Sequence, residues 1–303
     1  MTLMRFDPIR SASAVAAASI GVAALVAVFK FIAFGITGSI ALYSDALESI
    51  VNVVTAAAAL VAVRVSAQPA DADHPFGHHK AEYVAAVLEG ALIIVAALAI
   101  LHAAGDSFLH PKALQSPGQG LIITAIASAI NAGWGSYLVG RGRHWRSPAL
   151  IADGRHVLTD VWTSAGVLAG LGVAILTGYQ WLDPMIGALV AVHILWSGTR
   201  LTMGSLSGLL DEAASPQLQE QIQATIKAHA EGALQVHDIR TRVAAAKTFI
   251  EFHLVVPGGM SVRESHGICD RLEDALEAAI PGGEVLIHVE PDTKAKSAGG
   301  LEI

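Results

Sequence analysis

The chain of 303 residues has few charged residues, few aromatic residues and a single cysteine. Asp, Glu, Lys and Arg make up 15% of it, against about 25% in soluble domains, so the chain cannot easily cover a surface in water. The lone Cys269 excludes an internal disulfide framework and any metal site built from several cysteines. Aromatic residues, at 6%, offer few cages for bulky organic cations. What the chain has instead is 53% hydrophobic residues and 13 histidines.

Two signatures of enzymes are also missing. The sequence Gly-x-x-x-x-Gly-Lys-Ser/Thr does not occur, so ATP is not expected to drive the activity. The sequence His-Glu-x-x-His does not occur either, which argues against a membrane metal-dependent hydrolase and leaves it only as an alternative. We therefore predict that the protein is not an enzyme.

The net charge of −7 is confined to the last third of the chain. Residues 1–204 contain 11 acidic and 11 basic residues, whereas residues 205–303 contain 15 acidic and 8 basic residues. This division predicts an apolar part joined to an acidic soluble part. It gives no support to nucleic-acid binding, which calls for a basic surface.

Six apolar stretches are long enough to cross a lipid bilayer, which takes about 20 residues of helix. The first begins too far from the N-terminus and runs too long for a cleavable signal peptide, so we interpret it as a retained span. The sequence predicts a six-helix transmembrane domain over residues 1–207. The stretches are approximately residues 13–36, 40–65, 83–104, 119–139, 149–177 and 182–203.

The basic residues between these stretches predict the orientation, because short cytoplasmic loops collect Lys and Arg. One side of the membrane has eight of them, and the other has Lys112 alone. We therefore expect a multi-pass protein of the inner (plasma) membrane with both termini in the cytoplasm. The eight residues are Arg5, Arg10, Arg64, Lys80, Arg141, Arg143, Arg146 and Arg200.

The pattern changes after residue 207, where apolar residues take helix and strand periods. The order is helix, strand, strand, helix, strand, which is typical of a small α+β domain. We predict a cytoplasmic domain over residues 208–292 and a flexible tail over residues 293–303. The elements are expected at residues 216–230, 236–243, 248–256, 261–280 and 284–289.

Two of the apolar stretches contain polar residues on one helical face. A charge at the bilayer centre costs about 2.5–3.5 kcal/mol, so each such residue needs a reason. Spacings of three and four residues place each set on one face of its helix. The second stretch has Asp45, Glu48 and Asn52, and the fifth has Asp153, His156 and Asp160.

One i,i+4 pair from each helix can close four ligands around one divalent cation. Glu48 and Asn52 with His156 and Asp160 supply oxygens and one nitrogen, a set that suits zinc, manganese, iron(II) or cobalt. The alternative is two polar stripes that only join helices by hydrogen bonds. We interpret the isolated polar residues of other spans, such as Lys30 and Glu89, as structural contacts.

The cytoplasmic part offers two further groups of metal-ligand type. Asp71, His74 and His78 follow one another at intervals of three and four residues in the loop after the second span. The soluble domain places histidines on separate elements that one small sheet can bring together. They are His237, His253, His266 and His288, with Glu290 beside the last. An ordinary polar loop and scattered surface histidines are the respective alternatives.

The sequence resembles the cation diffusion facilitators over about residues 13–292, and within them the bacterial zinc/iron transporter branch. These are dimeric divalent-metal efflux transporters with six spans and a cytoplasmic ferredoxin-like C-terminal domain. The resemblance therefore implies that fold and a homodimer in the lipid bilayer. It is carried by residues 38–49, 68–78, 152–160 and 237–242, of which the loop and the His-Asp-Ile-Arg-Thr-Arg segment are the most specific.

The resemblance also implies three groups of metal ligands. The transport site falls on Glu48, Asn52, His156 and Asp160. A second register, ranked lower, uses Asp45 and Ser49 on the second span. The family usually has Asp or His, then Asp, where this chain has Glu48 and Asn52, so one negative charge is lost. The loop site falls on Asp71, His74 and His78, and the cytoplasmic cluster falls on His237, His253, His266 and His288, with Glu290 where the branch often has Asp.

The function implied is secondary transport of a divalent metal out of the cytoplasm in exchange for protons. Zinc is the first candidate, and iron, manganese, cobalt and cadmium stay open. A ligand must lose its proton to bind metal, so the two compete for the same atoms. Metal would serve as substrate and as regulatory ligand in the soluble domain, with no prosthetic group. A non-transporting metal receptor remains the other alternative.

Overall fold

The computed structural model describes residues 8–110, 114–144, 148–297 and 299–303. Arg5, Lys112 and Arg146, which entered the orientation argument, lie outside the described residues. The prediction of six apolar helices and a small α+β domain is confirmed. The chain divides into two compact units, residues 1–61 with 85–202 and residues 62–84 with 203–303.

Among the described residues, six long helices have the length and composition needed to cross a membrane. Each has 27 to 30 residues, which at 1.5 Å per residue spans about 40–45 Å, the hydrocarbon core with its headgroup layers. They therefore extend beyond the apolar stretches seen in the sequence. The helices are α1 (Pro8–Thr37), α2 (Ile40–Ser66), α3 (Ala81–Leu109), α4 (Pro117–His144), α5 (Pro148–Thr177) and α6 (Leu182–Leu209).

The N-terminal end of α2 is fixed by a residue of α6. The chain turns between α1 and α2 at Gly38, which has φ +66°, a conformation that favours glycine. The Asp183 carboxylate then accepts hydrogen bonds from the Ser39 hydroxyl and from the Ile40 backbone N–H, the latter at 2.7 Å. Beside it, a Cβ added to Gly187 would lie 2.7 Å from an Ile40 side-chain carbon, so the two helices approach closely there.

Helix α5 packs closely on α4 through facing glycines. A Cβ on Gly154 would lie 2.8 Å from the Gly135 carbonyl oxygen. Small residues at such crossings let membrane helices approach closely. The Asp153 carboxylate accepts a hydrogen bond of 2.7 Å from Ser19 of α1, and Ser19 in turn accepts one from the Trp134 indole of α4. Asp153 therefore serves a contact between helices.

The C-terminal part is a four-stranded mixed sheet with two helices on one face. The sheet order is β3-β2-β1-β4; β2 runs antiparallel to β1 and parallel to β3. Apolar residues of both helices, such as Ile226 and Leu272, pack on the buried face of β2, which includes Ile250 and Phe252. The elements are α7 (Pro216–His229), β1 (Gln235–Ala244), β2 (Lys247–Val256), α8 (Val262–Ala279), β3 (Gly283–Pro291) and β4 (Leu301–Glu302).

The last residues have contacts that their composition does not predict. The sequence predicts a flexible tail from residue 293, yet β4 pairs antiparallel with the start of β1 through Leu301 and Glu302. The Lys296 ammonium also lies 2.6 Å from the Asp238 carboxylate. A two-residue strand is too short to produce a period-2 signal, which is why the sequence does not predict this pairing.

Candidate metal centres

The polar faces of α2 and α5 meet at the residues predicted to bind the transported metal. The Asn52 amide donates a hydrogen bond of 2.8 Å to the Asp160 carboxylate. Glu48 and His156 lie one helical turn before Asn52 and Asp160, respectively. The structure therefore brings Asn52 and Asp160 into contact, with Glu48 and the exposed His156 on the same faces of their helices.

The four residues do not close around a common point in the structure. Among the described residues, two groups of at least three His, Cys, Asp or Glu have ligand atoms within 4.8 Å of one another, and neither includes Glu48, His156 or Asp160. What the structure provides is two half-sites on adjacent helices, joined by the Asn52–Asp160 hydrogen bond.

Asp45 and Ser49, the ligands of the lower-ranked register, make other contacts. Asp45 and Lys30 are both 2% exposed, and the Lys30 ammonium lies 2.8 Å from the Asp45 carboxylate. The same carboxylate oxygen accepts a hydrogen bond of 2.7 Å from Ser164 of α5. The Ser49 hydroxyl donates to the backbone carbonyl of Asp45. Ser49 and the Oδ1 of Asp45 are thus engaged within the protein, while the buried Oδ2 of Asp45 has no hydrogen-bond partner.

This buried ion pair is a feature that sequence reasoning missed. Lys30 lies in an apolar run of α1, and Lys30 also donates to Ser164 at 3.0 Å, so three helices meet at one charge pair. The sequence did show a lysine in the first span, Lys30, and in the second span an aspartate, Asp45, that the preferred transport site does not use. Since a buried charge requires a partner, the two could have been matched.

The loop residues Asp71, His74 and His78 form one compact group. Their ligand atoms all lie within 4.8 Å of one another, and the two imidazole centroids are 4.4 Å apart. The Asp71 carboxylate accepts backbone N–H bonds from Asp73 and His74, at 3.0 and 2.7 Å. The bond from His74 is the main cause that lowers the pKa of Asp71, which keeps this carboxylate in the charged form that binds cations. The structure thus brings together the whole predicted loop set.

The two ring nitrogens of His78 have different surroundings. The Nδ1 atom of His78 is buried and has no hydrogen-bond partner, while its Nε2 lies 3.5 Å from Asp71. The loop is held nearby by Phe76, which packs edge-on against Phe249 of β2, and Arg242 lies over both rings. The three candidate ligands therefore stand on a supported loop.

The sheet of the C-terminal domain brings most of the predicted cytoplasmic set together. His237 of β1 lies opposite His253 of β2, which lies opposite His288 of β3. The Glu290 carboxylate is 3.2 Å from the Nε2 of His237 and 3.4 Å from the Nδ1 of His253. These three residues form the second group with ligand atoms within 4.8 Å. His288 borders it, with its Nε2 3.7 Å from Glu290.

Within the single chain, His266 lies apart from this group and from His288, which borders it. It lies exposed on α8, where its Nδ1 is 3.7 Å from Asp270, one turn further along the same helix. The sequence alone does not show which histidines become neighbours, because that depends on how the helices and strands pack.

Two neighbours of the cluster also escaped the sequence argument. The Gln235 side chain contacts the Nδ1 of His237 at 3.2 Å, and Asp238 lies 4.0 Å from His253. Gln235 precedes His237 by two residues, so the period of a strand already places both on one face. Asp238 has φ +51° at an irregularity between His237 and Arg240, a local distortion that no sequence pattern indicates.

Comparison with known proteins matches the parts of the chain that contain these three groups to one family. Residues 16–210 match the cation efflux transmembrane domain, and residues 214–292 match the cytoplasmic domain of cation efflux proteins. An uncharacterized transporter of Synechocystis sp. is 40% identical over 288 residues, which are 95% of this chain and 93% of that protein. The cation-efflux pump FieF of Escherichia coli O127:H6 is 31% identical over 284 residues, 93% of each chain. Among solved structures, CzrB in its Zn form is 47% identical over 28% of this chain and 98% of its own, with a TM-score of 0.28.

Proposed function

The chain belongs to the cation efflux family of transporters, and from this premise we propose that it exports zinc from the cytoplasm in exchange for protons. The observation that carries this proposal is the contact of Asn52 with Asp160 between two membrane-spanning helices. Polar groups at this depth face a cavity or a partner because lipid cannot solvate them. Iron(II), manganese, cobalt and cadmium fit the same donor types and are the competing substrates.

The proposed transport site is Glu48, Asn52, His156 and Asp160. These side chains offer oxygen donors and one imidazole, the mixed set that borderline metals such as zinc accept. If the two half-sites closed on one ion, the metal would lie beside the two carboxylates of Glu48 and Asp160. Asn52 stands where the family usually has Asp, and an amide does not take up a proton near neutral pH. The transport site therefore has one group fewer that can exchange the metal for a proton.

Proton exchange follows from competition at these ligands. A carboxylate or imidazole that holds a proton cannot bind the metal, so protons arriving from one side displace the ion toward it. Histidine exchanges its proton near neutral pH, which suits it to this step. We place both termini in the cytoplasm on the distribution of Lys and Arg, so the metal leaves the side that carries the C-terminal domain.

Transport by purified protein in liposomes tests the proposal. With an acidic lumen and the C-terminal domain outside, zinc uptake should rise several-fold over uptake without a pH gradient, and a protonophore should remove the increase. Equal uptake with and without the gradient would exclude proton exchange. Uptake no faster than in empty liposomes would leave the receptor or hydrolase alternatives. Competition by the other four metals ranks the substrates.

The C-terminal cluster is proposed as a cytoplasmic zinc sensor in a homodimer. Its ligand atoms lie on three adjacent strands, so a metal there would hold the sheet in one arrangement. A metal that binds one conformation of the transporter more tightly shifts the population toward it. The loop group with Asp71 is proposed as a further cytoplasmic metal site.

Replacing His253 and His288 together by alanine should raise the zinc concentration needed for half-maximal transport. The expected factor is about 5 to 150, the usual range of coupling between two sites. The maximal rate at saturating zinc should remain, because neither residue lies in the spans. The matched control is His229→Ala, an exposed histidine of α7 bonded to its own helix. An unchanged concentration dependence in the double variant would refute the sensor.

A further inference from the structure

The C-terminal segment, residues 295–297 and 299–303, contacts the cytoplasmic cluster through one buried amide. The Gln235 side chain is 3% exposed and lies on β1 two residues before His237. Its Oε1 accepts a hydrogen bond of 2.8 Å from the Lys296 backbone N–H. Its Nε2 donates to the Lys296 carbonyl at 2.9 Å and to the Glu302 carboxylate at 2.7 Å. The segment therefore forms hydrogen bonds with both the oxygen and the nitrogen of this amide.

These bonds fix which way the amide points. A backbone N–H needs an acceptor and a carbonyl needs a donor, so the oxygen and nitrogen of Gln235 cannot exchange places. The same Oε1 lies 3.2 Å from the Nδ1 of His237. Because Oε1 only accepts, Nδ1 must carry the proton that binds it.

A protonated Nδ1 leaves the lone pair of the ring on Nε2. That atom lies 3.2 Å from the Glu290 carboxylate, which is also an acceptor. In the neutral ring these are two acceptors, which repel at this distance unless a proton or a metal cation lies between them. Fixing a ligand histidine through its other nitrogen is the common way in which outer residues orient metal ligands.

The segment packs tightly against the Gln235 side chain at Gly300. A Cβ added to Gly300 would lie 2.4 Å from Cδ of Gln235. On either side of this contact, β4 pairs with the start of β1 and Lys296 binds Asp238. Displacing the segment would release the amide and, with it, the imidazole.

We propose that residues 295–297 and 299–303 form a strap that holds Gln235, and that Gln235 is a positioning residue that sets the metal affinity of the cluster of His237, His253 and Glu290. This inference rests on the proposed function of that cluster as a metal site. Coupling is reciprocal, so metal bound at the cluster also stabilises the docked strap.

The test measures binding of zinc alone to the full chain in detergent, by competition with a chromophoric chelator. A background with Asp71→Ala and Asp160→Ala weakens the other two candidate sites. In it, Gly300→Val and Gln235→Leu should each weaken binding about 10- to 100-fold, the range for outer residues of metal sites. Ser297→Ala, an exposed position on the same segment, should bind like the background.

Hydrogen exchange gives a readout that a purely structural role would not move. Zinc should slow exchange at the Lys296 and Ile303 amides of the full chain, and should fail to do so in His253→Ala. Unchanged exchange with zinc bound would overturn the strap even if one of the variants folds poorly.

The outcomes separate the two proposals. If His253→Ala binds zinc as tightly as the background, the cytoplasmic metal site itself is refuted. If His253→Ala loses binding while Gly300→Val and Gln235→Leu retain full affinity, the strap alone is overturned.

Discussion

Replacing Asp160 by alanine should reduce proton-driven zinc uptake by more than about 100-fold, beyond the loss expected for an outer residue of a metal site. The substitution removes a proposed ligand and the acceptor of the Asn52 amide, so α2 and α5 lose the bond that joins their half-sites. The measurement is initial zinc uptake into liposomes with an acidic lumen, at equal amounts of folded protein.

Asp160→Asn separates the ligand from the helix contact. Asparagine keeps an oxygen that can accept from Asn52 but loses the negative charge, so it should transport as poorly as the alanine variant while retaining its stability. Thr159→Ala is the control one position earlier, exposed and bonded to its own helix. Full transport by either Asp160 variant would show that the transported ion does not bind there.

Replacing Lys30 by methionine should cause the largest loss of stability among single substitutions in the spans. Asp45 would stay buried, 2% exposed, and lose its cation; breaking a buried pair by removing one partner costs about 3–5 kcal/mol. For a protein of this size, the melting temperature should fall on the order of 10 °C. Circular dichroism of the purified protein during heating measures it.

The double variant Lys30→Met, Asp45→Asn tests whether the cause is the unpaired charge. Asparagine can still accept from Ser164 and carries no charge, so most of the lost stability should return. Lys227→Met, on the exposed face of α7, is the matched control. A double variant no more stable than Lys30→Met would mean that the lysine acts through packing and not through its pair.

The sequence predicts those features that depend on neighbouring residues. Span number follows from the length of apolar runs, and the α+β domain follows from its helix and strand periods. The loop group was recognisable because Asp71, His74 and His78 stand within one turn-forming segment. Strand alternation also placed His253 on the polar face of β2, where the sheet brings it beside His237.

The sequence does not predict features that depend on contacts between residues far apart in the chain. Lys30 meets Asp45 and Ser164 because three helices pack at one depth, and no pattern along any of them indicates that depth. His266 was assigned to the cytoplasmic cluster from its residue type and from the family resemblance, and within the single chain it lies beside Asp270 on α8. The pairing of the last residues with β1 depends on a surface that only the folded domain offers.

The Asp183 cap has a consequence for how a carrier of this design changes its accessible side. Asp183 holds the first turn of α2 from the start of α6, and Gly187 lets the two helices touch at the same level. A rocking motion that moved one without the other would expose a buried carboxylate and strip the helix of its cap. The two helices are therefore expected to move together at that end.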